Sequence, residues 1–173
     1  LESYCEKFNV SKMKRGLVIS GGGSKGAYAG GTLEYLIEEK KYDWQTYVGT
    51  STGSMLIPLT SVSDIKLLKE QFTNVDNSDI YSVNPFNKRG NLRILNAIWR
   101  LLTKKNSLGS AKRLFKLLKK HYTEDKFQKS IDLQKEVFVT VTNTTEFKAE
   151  YILKKNENYD RFCKFTLASA SIP

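Results

Sequence analysis

The chain has 173 residues, 40% of them hydrophobic and 27% charged, which excludes a collagen-like, low-complexity or wholly disordered polypeptide and suffices for one domain with a real core. No apolar run approaches the ~20 residues of a membrane span, and the N-terminus lacks the apolar stretch of a signal peptide, so a cytoplasmic or membrane-peripheral protein is expected. The net charge is +10, and residues 88–126 carry the whole excess, with twelve Lys and Arg against Glu124 and Asp125.

Residues 1–13 read as an extension, natural or added, ahead of a single domain over 14–173. Residues 15–20 form a short β-branched apolar run that predicts a buried strand. The six residues Gly21-Gly22-Gly23-Ser24-Lys25-Gly26 make a turn, and 27–40 predicts a helix with Leu33, Leu36 and Ile37 on its buried stripe. A second strand is expected at 47–49, a turn at Gly49-Thr50-Ser51-Thr52-Gly53, and a helix over 54–60 that Pro58 should kink. Asp64 is placed to cap a helix reaching Phe72, and the Asn-, Asp-, Ser- and Pro-rich stretch 75–90 reads as a loop.

Two basic amphipathic helices follow, over 92–104 and 111–122, with Ser107 or Ser110 as cap of the second. In the first, Leu92, Leu95, Ile98, Trp99 and Leu102 oppose Arg93, Arg100 and Lys104. In the second, Ala111, Leu114, Phe115, Leu118 and Tyr122 oppose Lys112, Arg113, Lys116, Lys119 and Lys120. Two readings of this basic surface stay open: a solvated face of helices packed on the core, or a face docked on anionic lipid headgroups. Nucleic acid is not expected, because no aromatic RNA-binding pattern, zinc finger or heptad basic region accompanies the charge.

Residues 136–144 and 149–153 alternate as neighbouring strands around a turn at 143–146, and 162–171 predicts a helix. Strand, helix, strand, helix at the front predicts an α/β fold: a mainly parallel central sheet with right-handed crossovers and helices on both faces. Cys5 and Cys163 are too few for a disulfide framework or a zinc site and read as free thiols in a reducing compartment.

Two glycine motifs carry the chemistry. Gly21, Gly23 and Gly26 match G-x-G-x-x-G between a strand and a helix. The acidic residue that a dinucleotide site needs after the next strand is missing, and Ser24-Lys25-Gly26 is the wrong order for a phosphate-binding P-loop. An anion-binding row of backbone N–H groups and a tight turn both remain open. Gly49-x-Ser51-x-Gly53 matches the nucleophile elbow, in which a sharp strand-to-helix turn exposes a serine Oγ at a helix N-terminus. Two neighbouring parallel strands would bring both turns to one sheet edge, with oxyanion donors beside a nucleophile.

The pair of motifs, in this order and with these flanking elements, resembles the patatin-like phospholipase family. Ala168-Ser169-Ala170-Ser171-Ile172-Pro173 is similar to the Ala-Ser-x-Ala-x-Pro stretch upstream of that family's Asp-Gly-Gly/Ala motif, so the resemblance runs from about Lys14 to Pro173. It implies a patatin-like α/β fold and a serine lipid acyl hydrolase of the phospholipase A or lysophospholipase type. Ser51 is then the nucleophile, the loop Gly21 to Gly26 holds the oxyanion, and an acyl-serine forms without metal or organic cofactor. The implied partners are a phospholipid or other acyl lipid and, through residues 88–126, an anionic membrane. Lys25 is expected to steady the loop rather than meet a headgroup.

The family's base is an aspartate of the Asp-Gly motif, and no Asp-Gly dipeptide occurs in the 173 residues, so a C-terminal portion is expected beyond this chain. A Ser-His-Asp triad would need His121, the single histidine, which lies beside Lys119 and Lys120 where an imidazolium is disfavoured. Two rivals from other classes stand beside the hydrolase. One is a membrane-surface binding module or incomplete fragment lacking the base. The other is a nucleotide-binding protein using Gly21 to Gly26, for which Gly49 to Gly53 would have no purpose.

Overall fold

The computed structural model describes residues 14–74 and 112–171. Its centre is a four-stranded sheet in the order β1 (Gly16–Ile19), β2 (Thr46–Thr50), β3 (Glu136–Asn143) and β4 (Lys148–Leu153). β1, β2 and β3 run parallel, and β4 returns antiparallel to β3. The helices are α1 (Gly26–Glu34), α2 (Thr52–Thr60), α3 (Ile65–Asn74), α4 (Lys112–His121), α5 (Glu124–Asp132) and α6 (Tyr159–Ala170). The α/β class and the mainly parallel sheet are as the sequence predicts.

Alternation along the strands divides the sheet into two unlike faces. Ile19, Tyr47, Val137 and Val139 point to one face and are buried with Leu56, Ile57 and Leu59 of α2 and Phe162 and Cys163 of α6. The described helices pack on this face. The expectation of helices on both faces is therefore met on one only, among the described residues. On the other face Val18 is 74% exposed and Tyr151 66% exposed. The strand expected to be buried at 15–20 is corrected accordingly: β1 is an edge strand of the described sheet with one wet side.

α2 forms in spite of its sequence. Pro58 in a helix interior costs about 3 kcal/mol. Leu56, Ile57 and Leu59 are all but fully buried, and each such side chain contributes about 2 kcal/mol, so packing overrides propensity. The helix runs through Pro58 to Thr60. α1 ends earlier than predicted. After Glu34 the chain widens into a π turn, Tyr35–Glu39, closed by the Lys40 N–H donating to Tyr35 O at 3.1 Å. α3 starts as expected, with the Leu67 N–H donating to Asp64 Oδ1 at 3.3 Å.

The second basic helix is present as α4, with Leu118 buried and Lys112, Lys116 and Lys120 exposed. Lys119 turns inward to Asp160 at 2.9 Å, and the Tyr159 hydroxyl donates to Tyr122 O at 2.8 Å, so α4 is tied to α6. The structure adds α5, which its short stripe of Phe127, Ser130 and Ile131 does not bring out of the sequence. The β3–β4 turn is built on Asn143 Oδ1, which accepts from the N–H groups of Thr145 and Glu146 at 3.0 and 3.2 Å. Cys163 is a free, buried thiol whose pKa burial pushes up to about 11. Residues 1–13 with Cys5, the loop at 75–90, the helix at 92–104 with Trp99, the caps at Ser107 and Ser110, and Ile172 and Pro173 lie outside the described residues.

Candidate active site

β1 and β2 pair with Ile19 opposite Gly49. Each strand then turns toward a helix after the same number of residues, so Gly21 and Ser51 leave the same sheet edge side by side. A methyl group on Gly21 would lie 2.7 Å from Ser51 Cβ and 3.3 Å from Ser51 Oγ, so the loop backbone passes directly against the hydroxyl. The loop and the elbow are tied once more by the Thr52 hydroxyl, which donates to Gly23 O at 3.1 Å.

The elbow is sharp because its glycines allow close approach. A Cβ on Gly49 would lie 2.5 Å from Gly53 O, and one on Gly53 would run into Ile19 O. Ser51 takes up the turn with φ 53° and ψ −120°, a conformation that L side chains rarely adopt and that costs of order 1–3 kcal/mol. Ser51 stands at the N-cap of α2, where a serine ordinarily spends its Oγ on the first-turn amides. Here the Oγ makes no capping bond; the Ser54 N–H donates to Ser51 O at 2.9 Å instead. The strain therefore leaves the hydroxyl half-exposed and, among the described residues, without a hydrogen bond, at the positive end of a helix dipole.

The glycine loop is a 3-10 turn, Gly23–Lys25, leading straight into α1. Gly22 is extended, Gly23 has φ 55°, and the turn closes with the Lys25 N–H donating to Gly22 O at 3.1 Å. Gly26 is buried at the start of α1, while Gly21, Gly22, Gly23, Ser24 and Lys25 are exposed. Lys25 steadies the turn through its backbone; among the described residues its ammonium group forms no ion pair.

α6 also meets the elbow. The Ser51 N–H donates to Ser169 Oγ at 2.9 Å, and the Ser54 hydroxyl lies between Ser51 O at 2.6 Å and Thr166 O at 3.1 Å. The sequence reading uses Ser169 only as part of the Ala-Ser-x-Ala-x-Pro resemblance. Its contact spans 118 residues, and no local pattern announces it.

His121 is not brought to Ser51. It closes α4, and the charges that act on it come from Lys120, Lys126 and Glu70. Burial and then Lys120 and Lys126 push its pKa down; of the two lysines that the sequence sets beside it, Lys120 contributes and Lys119 is paired with Asp160 instead. Among the described residues no Asp, Glu or His hydrogen-bonds Ser51 Oγ. Among them, too, no group of three or more His, Cys, Asp or Glu side chains is placed to hold a metal ion, and no helix is long and apolar enough to cross a membrane.

A family model described as patatin-like phospholipase matches residues 17–173. Among curated proteins none matches the chain. Among solved structures, VipD from Legionella pneumophila is similar to it, with a TM-score of 0.51 and 18% sequence identity over 91% of this chain. The chain spans 41% of the length of that VipD chain, and at this identity the likeness concerns the fold alone.

Proposed function

The chain belongs to the patatin-like phospholipase family, whose members are hydrolases of the esterase and lipase type, and from that premise we propose that it is a serine lipid acyl hydrolase of the phospholipase A or lysophospholipase type. The observation that carries the proposal is the geometry of Ser51. A strained serine whose Oγ makes no capping bond stands at a helix N-terminus, and a glycine backbone runs against it.

In the proposed reaction Ser51 Oγ attacks the acyl carbonyl of a lipid. Its proton passes to a base, and the negative charge that builds on the carbonyl oxygen is held by backbone N–H groups of Gly22 and Gly23 and by the dipole of α2. The base gives that proton to the leaving oxygen, and the alcohol half of the ester departs as an acyl-serine forms. Water then attacks that ester and releases the fatty acid, restoring the serine. Preorganisation supports this step: the donors are backbone groups fixed by a closed turn, so they need not reorganise as charge develops. The exposed lysines of α4 are proposed to meet an anionic lipid surface, on the strength of their placement on one helical face.

The test is labelling with a fluorophosphonate, read by intact mass, together with fatty acid release from phospholipid vesicles. One adduct on the unaltered chain, lost with hydrolysis in Ser51→Ala, is the expected result. A chain that binds vesicles but takes no adduct would mean a lipid-surface binding module instead.

A further inference from the structure

We propose that Ser169 of α6 is a positioning residue for Ser51, an inference that rests on the reading of Ser51 as the nucleophile. It begins from a requirement of the elbow. A residue held at φ 53° and ψ −120° relaxes unless its surroundings over-determine it. Peptide units are planar, so the conformation of Ser51 is fixed once the planes on both sides of its Cα are fixed.

Both planes are held. The following plane, which carries Ser51 O, is held by the Ser54 N–H at 2.9 Å and the Ser54 hydroxyl at 2.6 Å. The preceding plane carries the Ser51 N–H, and its acceptor is Ser169 Oγ at 2.9 Å. The first amides of a helix have no partner within the helix, so an acceptor for this one must come from elsewhere in the fold. α6 supplies it. α6 also supplies Thr166 O, at 3.1 Å from Ser54 Oγ, one turn back on the same helical face. One helix thus grips both sides of the elbow. Loss of the Ser169 hydroxyl frees the preceding plane and lets Ser51 Oγ swing away from the Gly21 backbone.

The experiment compares the full chain with Ser169→Ala, Ser169→Thr and the control Ser171→Ala. Ser171 lies at the end of the same helix, and its hydroxyl donates to Leu167 O at 2.8 Å without touching the elbow. The readouts are the rate constant of fluorophosphonate labelling at Ser51, hydrogen exchange of the Ser51 amide by NMR, and the melting temperature. Ser169→Ala should slow labelling about tenfold, the weight of one hydrogen bond, and speed exchange of the Ser51 amide. Ser169→Thr restores the hydroxyl and should recover most of the rate, while Ser171→Ala should leave it unchanged. If Ser169→Ala does not fold, Ser169→Cys, of similar shape with a weak acceptor, is read in its place. Labelling of the alanine variant at the unaltered rate overturns the positioning role while leaving Ser51 as nucleophile. A slower rate that Ser169→Thr does not recover, or that Ser171→Ala shares, overturns it as well. An unaltered chain that takes no adduct overturns the reading of Ser51, and the positioning role with it.

Discussion

The ammonium group of Lys154 lies inside the protein, with the residue 1% exposed. It donates to Phe127 O at 2.6 Å and stands 4.7 Å over the Phe127 ring, and among the described residues no carboxylate is bonded to it. Burial pulls its pKa from the ordinary 10.5 down to about 8, and the more distant Asp132 offsets only part of that. The sign of the effect on stability follows. Below about pH 8 the amine is charged in both folded and unfolded chains, and the cost of burying it is present in full. Between about 8 and 10.5 the folded chain has released the proton and the unfolded chain still holds it, so stability rises with pH. Melting curves of the protein and of Lys154→Met should therefore shift relative to one another, by about 5 °C in favour of the lysine between pH 7 and pH 10. A difference independent of pH would mean that the amine stays charged inside. Nothing in Lys154-Lys155-Asn156 sets the first lysine apart from the second, because the inward turn is decided by the 3-10 geometry after β4. Ser51 is the opposite case. Its strain is written locally, in Gly49 and Gly53, and so the elbow is readable from the sequence while the acceptor for its amide, 118 residues away, is not.

Among the elements, α4 illustrates what periodicity reveals. Its ten residues alternate charge and Leu or Phe with a helical period long enough to be unambiguous, and the structure places Leu118 inward and the lysines outward. The packing then sorts the lysines in a way that the period cannot. Lys119 is committed to Asp160, whose carboxyl it holds together with Lys164 down to about 2, whereas Lys112, Lys116 and Lys120 remain exposed along one face. The proposed docking on an anionic bilayer would fall to those three. Each lysine near such a surface contributes about 1 kcal/mol, so Lys112→Gln, Lys116→Gln and Lys120→Gln together should weaken binding to phosphatidylserine vesicles about a hundredfold and leave binding to neutral vesicles unchanged. Equal affinity of the triple variant for the anionic vesicles would remove the face from the functional account. Where the sequence misjudges an element, a tertiary cause is visible. β1 reads as buried because its residues are apolar, yet it lies at an edge of the described sheet. α5 is too short for its stripe to stand out against the polar residues around it.

At the scale of the whole molecule, the parallel pairing of β1 and β2 is legible because each strand runs into a glycine turn and then a helix, a pattern that permits few topologies. The place of β3 is not legible. More than 80 residues separate it from β2, and what puts it there is the burial of Val137 and Val139 against α2 and α6. The same burial sets the two-sided character of the sheet, with a continuous core on one side and Val18 and Tyr151 exposed on the other.

The register of Ile19 with Gly49 makes the site a matter of counting. One residue separates Ile19 from Gly21, and one separates Gly49 from Ser51. An alanine inserted between Ser20 and Gly21 lengthens one exit by roughly 3.3 Å, a full hydrogen-bond length, and reverses which way the next residue points. Such an insertion should abolish fluorophosphonate labelling, whereas one between the exposed Thr144 and Thr145 should spare it. Beyond the identity of Gly49 and of the buried Ile19 and Tyr47, the site therefore depends on spacing: neither strand can gain or lose a residue between the sheet and its turn without parting Gly21 from Ser51.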